Sequence, residues 1–214
     1  MQKIPRESWI EPALAVASMV ALNWVLGERY RLTPQWVPVV LAAALLGPAF
    51  VAHIRHDTPL WLRIERLSIA STILVMLGLN TLTLLYVVDE VLFRSSGIVA
   101  ETLFSTSIAI WTANVVGFGL LYWELDRGGP DARMSDAPGS PDFAFPAYID
   151  PMMPRDWRPQ FMDYLFVAFT TSTAFSPTEA MPLSRRAKAL MIVQAVISLV
   201  TIIVVASRAI GIIH

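Results

Sequence analysis

Residues 197–205 read Ile197-Ser198-Leu199-Val200-Thr201-Ile202-Ile203-Val204-Val205, and the apolar run around them extends from about Ala187 to Ile213. No charge interrupts the quoted stretch. A helix needs roughly 20 mostly apolar residues to cross a bilayer. A surface helix of a soluble domain needs a polar face, and this stretch has none. It reads as a transmembrane helix, and the rest of the chain follows from that reading.

Four stretches upstream have the same character. They run from about Trp9 to Leu26, Trp36 to Ile54, Leu67 to Val88 and Thr102 to Trp123. The chain is 55% hydrophobic and only 15% charged, against about 25% charged in soluble domains. Trp9, Trp24, Trp36, Trp61, Tyr86, Trp111, Tyr122 and Trp123 fall mostly near span ends, where amphipathic rings favour the headgroup layer. Short polar links, Glu28-Arg29-Tyr30-Arg31 and the stretch from Asp89-Glu90 to Arg94, join neighbouring spans. Trp61 to Leu67 reads as an amphipathic approach lying on the membrane surface. The first span is expected to stay in place rather than be cleaved as a signal peptide. Glu11 and Pro12 interrupt its start, and no small-residue cleavage pattern follows Asn23-Trp24.

Composition also excludes functions. A net charge of −1 offers no footprint for nucleic acid. The absence of cysteine removes disulfides, thiolate metal sites and cysteine nucleophiles. His53, His56 and Asp57 are spaced for one helix face, but no third ligand accompanies them, so no metal site is expected. No nucleophile elbow, phosphate loop or zinc-protease helix is present. The chain is therefore not expected to be an enzyme, and no cofactor is implied.

Three regions result. Residues 1–124 form a four-helix transmembrane region. Residues 125–160 form a connector rich in Pro, Asp and Gly, as in Asp126-Arg127-Gly128-Gly129-Pro130, which is expected to be a polar surface loop unable to bury a core. Residues 161–214 hold a short apolar helix, a polar turn and the final span. That short helix, Phe161 to Phe175, is about 22 Å long, too short for about 30 Å of hydrocarbon. Ser176-Pro177-Thr178-Glu179 then breaks it. The fold expected is all-α and integral to the membrane, with about five transmembrane helices plus a short re-entrant, pore-like helix before the last.

Irregular backbone at membrane depth persists only where protein or water satisfies it. The candidate functional residues are therefore Thr170, Thr171, Ser172, Thr173, Ser176, Thr178 and Glu179, with Asp163 one turn into the short helix. Each has a plainer reading. The hydroxyls bond their own helix carbonyls, Asp163 stabilises a helix N-terminus, and Glu179 pairs with Arg185 or Arg186. Asn23, Asn80, Asn114 and Gln194 lie within spans, where single amides usually bond across helices and fix packing.

The order of short helix, Thr-rich turn and final span resembles the pore module of potassium-type cation channels. Ala174-Phe175-Ser176-Pro177 stands where that filter needs glycines, so the carbonyl ladder of a potassium filter is missing. The chain also resembles a family of uncharacterised bacterial multi-pass membrane proteins. The matching residues are Tyr122 to Pro130, Asp163-Tyr164-Leu165 through Ala174-Phe175-Ser176-Pro177-Thr178-Glu179, and Met181-Pro182-Leu183. That resemblance implies a bacterial inner membrane. The channel resemblance implies a monovalent cation and a homo-oligomer, tetrameric if the module forms a pore.

The functional expectation is an ion channel-like membrane protein that conducts cations through a degenerate filter. Its alternatives are a small-solute transporter and a structural or assembly protein with no transport. Orientation follows the basic residues. With five spans and the N-terminus inside, only Arg29, Arg31, Arg94 and Arg208 fall outside, favouring that orientation. A channel-like hairpin opens outward, which the same count opposes.

Overall fold

The structure is a computed structural model that describes residues 10–54, 59–94, 99–133, 139–148, 150, 152, 154, 157–173 and 180–212. In chain order the elements are α1 (Ile10–Val25), α2 (Trp36–Ile54), α3 (Pro59–Phe93), α4 (Ala100–Leu125), α5 (Pro130–Arg133), β1 (Phe143–Ala144), α6 (Phe161–Ser172), β2 (Met181–Pro182) and α7 (Arg185–Ile212).

Three helices are long and apolar enough to cross a bilayer: residues Arg63–Phe93, Ala100–Gly128 and Arg185–Ser207. Two shorter apolar helices, Ile10–Val25 and Trp36–Val51, accompany them. Many large apolar side chains face outward, while α3 and α7 also bury apolar residues such as Ile73, Val87 and Ala187. Leu67, Leu74, Leu82 and Leu85 of α3 are exposed, as are Ile192, Val193, Val196 and Leu199 of α7. Thr72 and Thr83 of α3, and Gln194 and Ser198 of α7, are buried. Water would penalise such exposed apolar stripes. Hydrocarbon does not, and it leaves polar groups to find partners inside the protein. The chain is an α-helical membrane protein.

The chain divides into two compact units, residues 16–113 with 200–214 and residues 1–15 with 114–199. In the first unit α2 packs on α3. The surface approach expected at Trp61 to Leu67 is instead the opening of α3, one continuous helix of 35 residues, with Glu65 buried. Nothing in that stretch breaks a helix, so the hydrogen-bond ladder continues through it. Gly27 ends α1, and a Cβ there would collide with Cγ2 of Thr102. Its amide donates to Thr106 Oγ1 at 3.2 Å. Arg29, just beyond, pairs with the buried Glu90 carboxylate at 2.6 Å and donates to the Arg94 carbonyl at 3.2 Å. The two polar links read from the sequence thus meet at one end of this unit.

The second unit contains α4 from Asn114, the connector, α6 and α7 up to Leu199. Arg127, Gly128 and Gly129 all have positive φ and turn the chain after α4, a conformation open to glycine at no steric cost. The connector departs from expectation. Phe143 and Phe145 are buried, as are Asp126, Arg133 and Asp142. β1 pairs antiparallel with β2, Phe143 opposite Pro182 and Ala144 opposite Met181. The Pro- and Gly-rich composition hid a short aromatic segment whose burial partners lie elsewhere in the sequence.

Candidate functional site

α6 is short because its sequence is bounded. Gln160 and Asp163 form a capping box at its start, with Asp163 Oδ2 accepting the Gln160 amide at 2.7 Å. The helix ends at Ser172, earlier than the expected Phe175, and Ala174 and Phe175 lie outside the described residues. At 12 residues it is about 18 Å long. It lies close against α4, where a Cβ on Gly119 would stand 3.1 Å from the Leu165 Cα. No larger side chain fits there without moving backbone.

The candidate hydroxyls divide cleanly. Thr170 Oγ1 donates to Phe166 or Val167 O, Thr171 Oγ1 to Val167 O, and Thr173 Oγ1 to Phe169 or Thr170 O. These are the intrahelical bonds of the plainer reading. Asp163 likewise serves its own helix terminus. Among the described candidates, Ser172 alone reaches another helix, its Oγ accepting from Gln194 Nε2 at 2.8 Å. Ser176, Thr178 and Glu179 lie outside the described residues, as do His56 and Asp57.

Gln194 joins three helices. Its Nε2 also donates to Ala168 O of α6 at 2.7 Å, and its Oε1 accepts the Tyr122 hydroxyl of α4 at 2.5 Å. Asn114 of α4 donates to Gln194 O at 3.3 Å and to Ser198 Oγ at 2.8 Å. Gln194 and Asn114 are fully buried. In hydrocarbon such amides look to protein for partners, and here the Gln194 amide and the Asn114 Nδ2 bind α4, α6 and α7 together, while Asn114 Oδ1 accepts no hydrogen bond among the described residues. The sequence marks both as intramembrane amides that fix packing, and the geometry gives them that role.

A second polar cluster gathers around Asp126. Its Oδ2 accepts the Tyr164 hydroxyl at 2.6 Å, and its Oδ1 accepts the amides of Asp142 and Phe143 at 2.7 and 3.3 Å. Arg133 donates to the carbonyls of Trp123 and Asp126, at 2.5 and 3.1 Å, which satisfies terminal carbonyls of α4. Its guanidinium lies over the Tyr164 ring at 5.0 Å and the Trp123 ring at 5.7 Å. Rings enclose the cluster: Phe143 meets Tyr122 at 5.1 Å, and Phe145 meets Tyr164 at 5.3 Å and Trp157 at 5.9 Å. Tyr122 and Trp123, expected as interfacial anchors, are buried under this layer. Glu124, in the last turn of α4, is buried too.

Asp142 links the cluster to α7. Arg186 Nε and Nη2 donate to its two oxygens at 2.7 and 2.6 Å. Its carbonyl accepts the Leu183 amide at 2.8 Å, just ahead of Ser184, whose Oγ accepts the Ala187 amide and caps α7. Burial alone would raise the Asp142 pKa, but the hydrogen bonds from Arg186 and Ser184 outweigh it and hold the carboxyl below its ordinary value. A lowered pKa contributes stability that is complete above the unfolded value of about 3.9 and is lost as pH falls through the folded value. Unfolding midpoints should therefore drop as pH is taken from about 5 to below 4. Arg186→Gln should flatten that slope, as thermal unfolding in detergent across this range would show.

Sequence reasoning missed Asp126, Arg133, Asp142, Tyr164 and Arg186 as a group. The available signal was the aromatic content of the connector, Phe143, Phe145, Tyr148 and Trp157. The fold and these contacts define a multi-pass α-helical membrane protein with a short helix anchored by a buried amide. Compared with protein-family models, curated proteins and solved structures, the chain gave no match.

Proposed function

We propose that α4, α6 and α7 form a pore-like module that passes monovalent cations, with the C-terminal end of α6 and the residues after it as the conducting centre. The observation that carries this reading is the bond from Gln194 to Ser172 and Ala168. Gln194 stands about 14 Å along α7 from Arg185, at 1.5 Å per residue. The end of α6 is tied at that depth. Both flanks of the segment are held near the opposite level: Phe161 packs on Trp123 at the end of α4, and Met181 pairs with Ala144. This supports a helix that re-enters, with α1, α2, α3, α4 and α7 as five spans. α1, about 24 Å long, and α2, about 28 Å, then require modest local thinning of the bilayer.

The chemistry follows from the helix terminus. The C-terminal carbonyls of a helix carry roughly half a negative charge, and in α6 Thr173 takes those of Phe169 and Thr170. Directed into the hydrocarbon layer, they favour cations over anions. Without filter glycines, selectivity among cations is weak. A homo-oligomer, tetrameric by analogy with potassium-type pores, would place several such ends around one axis, and a bacterial inner membrane is the proposed location.

A structural role without transport is the second reading. It is favoured by the hydroxyls of Thr170, Thr171 and Thr173, which are spent on their own helix. Purified chain in liposomes separates the two. The pore reading expects voltage-driven cation flux, reduced by Glu179→Gln. It also expects cysteines placed at Ser140 and Ala180 to label from the same side. Labelling from opposite sides would sink the re-entrant helix. Absence of flux for any cation would move the assignment to the structural role.

A further inference from the structure

In the unit formed by residues 16–113 with 200–214, a cavity of about 20 Å³ lies among α1, α3 and α4. Its wall is mostly apolar, with Met19 and Leu22 from α1, Leu26 just after it, Met76 from α3 and Ala113 from α4. Three polar side chains also line it: Asn23, Asn80 and Thr83. Their hydrogen bonds can be accounted for one by one. Thr83 Oγ1 donates to Leu79 O at 2.9 Å. Asn23 Nδ2 donates to Met19 O at a long 3.5 Å, and Asn80 Nδ2 donates to Ile110 O at 3.1 Å. An amide side chain also has an acceptor oxygen. Neither Oδ1 accepts a hydrogen bond among the described residues. Asn80 stands inside α3 and Asn23 two residues before the end of α1, both half-buried among apolar neighbours, where lipid supplies no donor.

We propose that this cavity is a binding site for one water molecule, which donates to the amide oxygens of Asn23 and Asn80 and bridges α1 to α3 within the hydrophobic layer. The volume decides the size of the ligand. One water needs roughly 10–15 Å³, so the cavity takes a water and no larger solute. The lining decides its charge. No carboxylate stands among the lining residues, and an uncompensated cation in apolar surroundings is penalised far more than a neutral molecule. A water offers the two donors that the amide oxygens lack. Because Asn80 also donates to Ile110 O, the bound water extends one hydrogen-bonded chain from α1 through α3 to α4.

A shared water makes the two amides interdependent, and that is measurable. The full chain in lipid bilayers, observed by water-edited solid-state NMR, should show magnetisation transfer from water to the side-chain amides of both Asn23 and Asn80. Asn80→Leu should abolish transfer at Asn23. In unfolding measurements, Asn23→Leu and Asn80→Leu should couple. The double variant should be about tenfold more stable in its folding constant than the product of the single effects. Exchange among Li⁺, Na⁺ and K⁺ should change none of this. No transfer to either amide in the unchanged chain would overturn the proposal, as would additive single effects. Stability that depends on the identity of the monovalent cation would also overturn it, and would make the cavity a cation site.

Discussion

Asp126→Ala should destabilise the chain by about 3–5 kcal/mol, the largest single loss expected from a side chain in the connector region. Asp126 is fully buried and accepts three hydrogen bonds, from the Tyr164 hydroxyl and from the amides of Asp142 and Phe143. Alanine removes both acceptor oxygens and leaves those three donors beneath a layer of rings. Each buried group left without a partner costs about 1–3 kcal/mol. The change also removes a negative charge from the cluster around the buried Arg133, whose guanidinium donates to the Trp123 and Asp126 carbonyls and lies over the Tyr164 ring. Asp126→Asn retains one oxygen for the two amides and should lose less than half as much. Unfolding of the purified chain in bicelles measures both variants. A loss below about 1 kcal/mol for the alanine variant would mean that water reaches the cluster and that it does not organise the connector.

Gln194→Leu should cost about 2–4 kcal/mol and also abolish cation flux if the pore reading holds. Interhelical hydrogen bonds in membranes contribute about 0.6 kcal/mol on average and up to about 1.7. Gln194 makes three through its side chain, to Tyr122, Ala168 and Ser172. Leucine has a similar volume, so packing changes little and the loss reports the bonds. The consequence for flux is separate. Gln194 supplies the side-chain hydrogen bonds from α7 to Ala168 O and Ser172 Oγ that tie the C-terminal end of α6 at its depth. Gln194→Glu is a useful companion, because its carboxylate can accept from Tyr122 but, when ionised, cannot donate to Ala168 O. A Gln194→Leu variant that keeps both its stability and full flux would remove this residue from the centre of the module.

Hydropathy is a local property, and the features it governs were readable in the chain. The cores of α3, α4 and α7 are long apolar runs, and lipid accepts them wherever their partners lie. The shortness of α6 was legible for a similar reason. Asp163 stands one turn after Gln160, so the start is set by nearby chemistry, whereas the helix ends at Ser172, ahead of the expected Phe175. The intrahelical bonds of Thr170, Thr171 and Thr173 follow from spacings of three and four residues.

What the sequence left open depends on partners far along the chain. Ser172 has the same hydroxyl chemistry as its neighbours, yet its partner Gln194 belongs to the next helix. Tyr122 and Trp123 have the composition of interfacial anchors. They are buried because the connector folds over them, which cannot be known until Phe143 and Phe145 are placed. Asp126 and Asp142 are ordinary loop acids by composition and become buried acceptors only when β1 meets β2 and Arg186 closes on Asp142. The sequence by itself determined that helices cross a membrane and where the short one begins, because desolvation and capping act within a few residues. Only the tertiary structure decided which polar groups are shared, because a buried hydrogen bond needs a second group brought to it, and folding alone supplies that proximity.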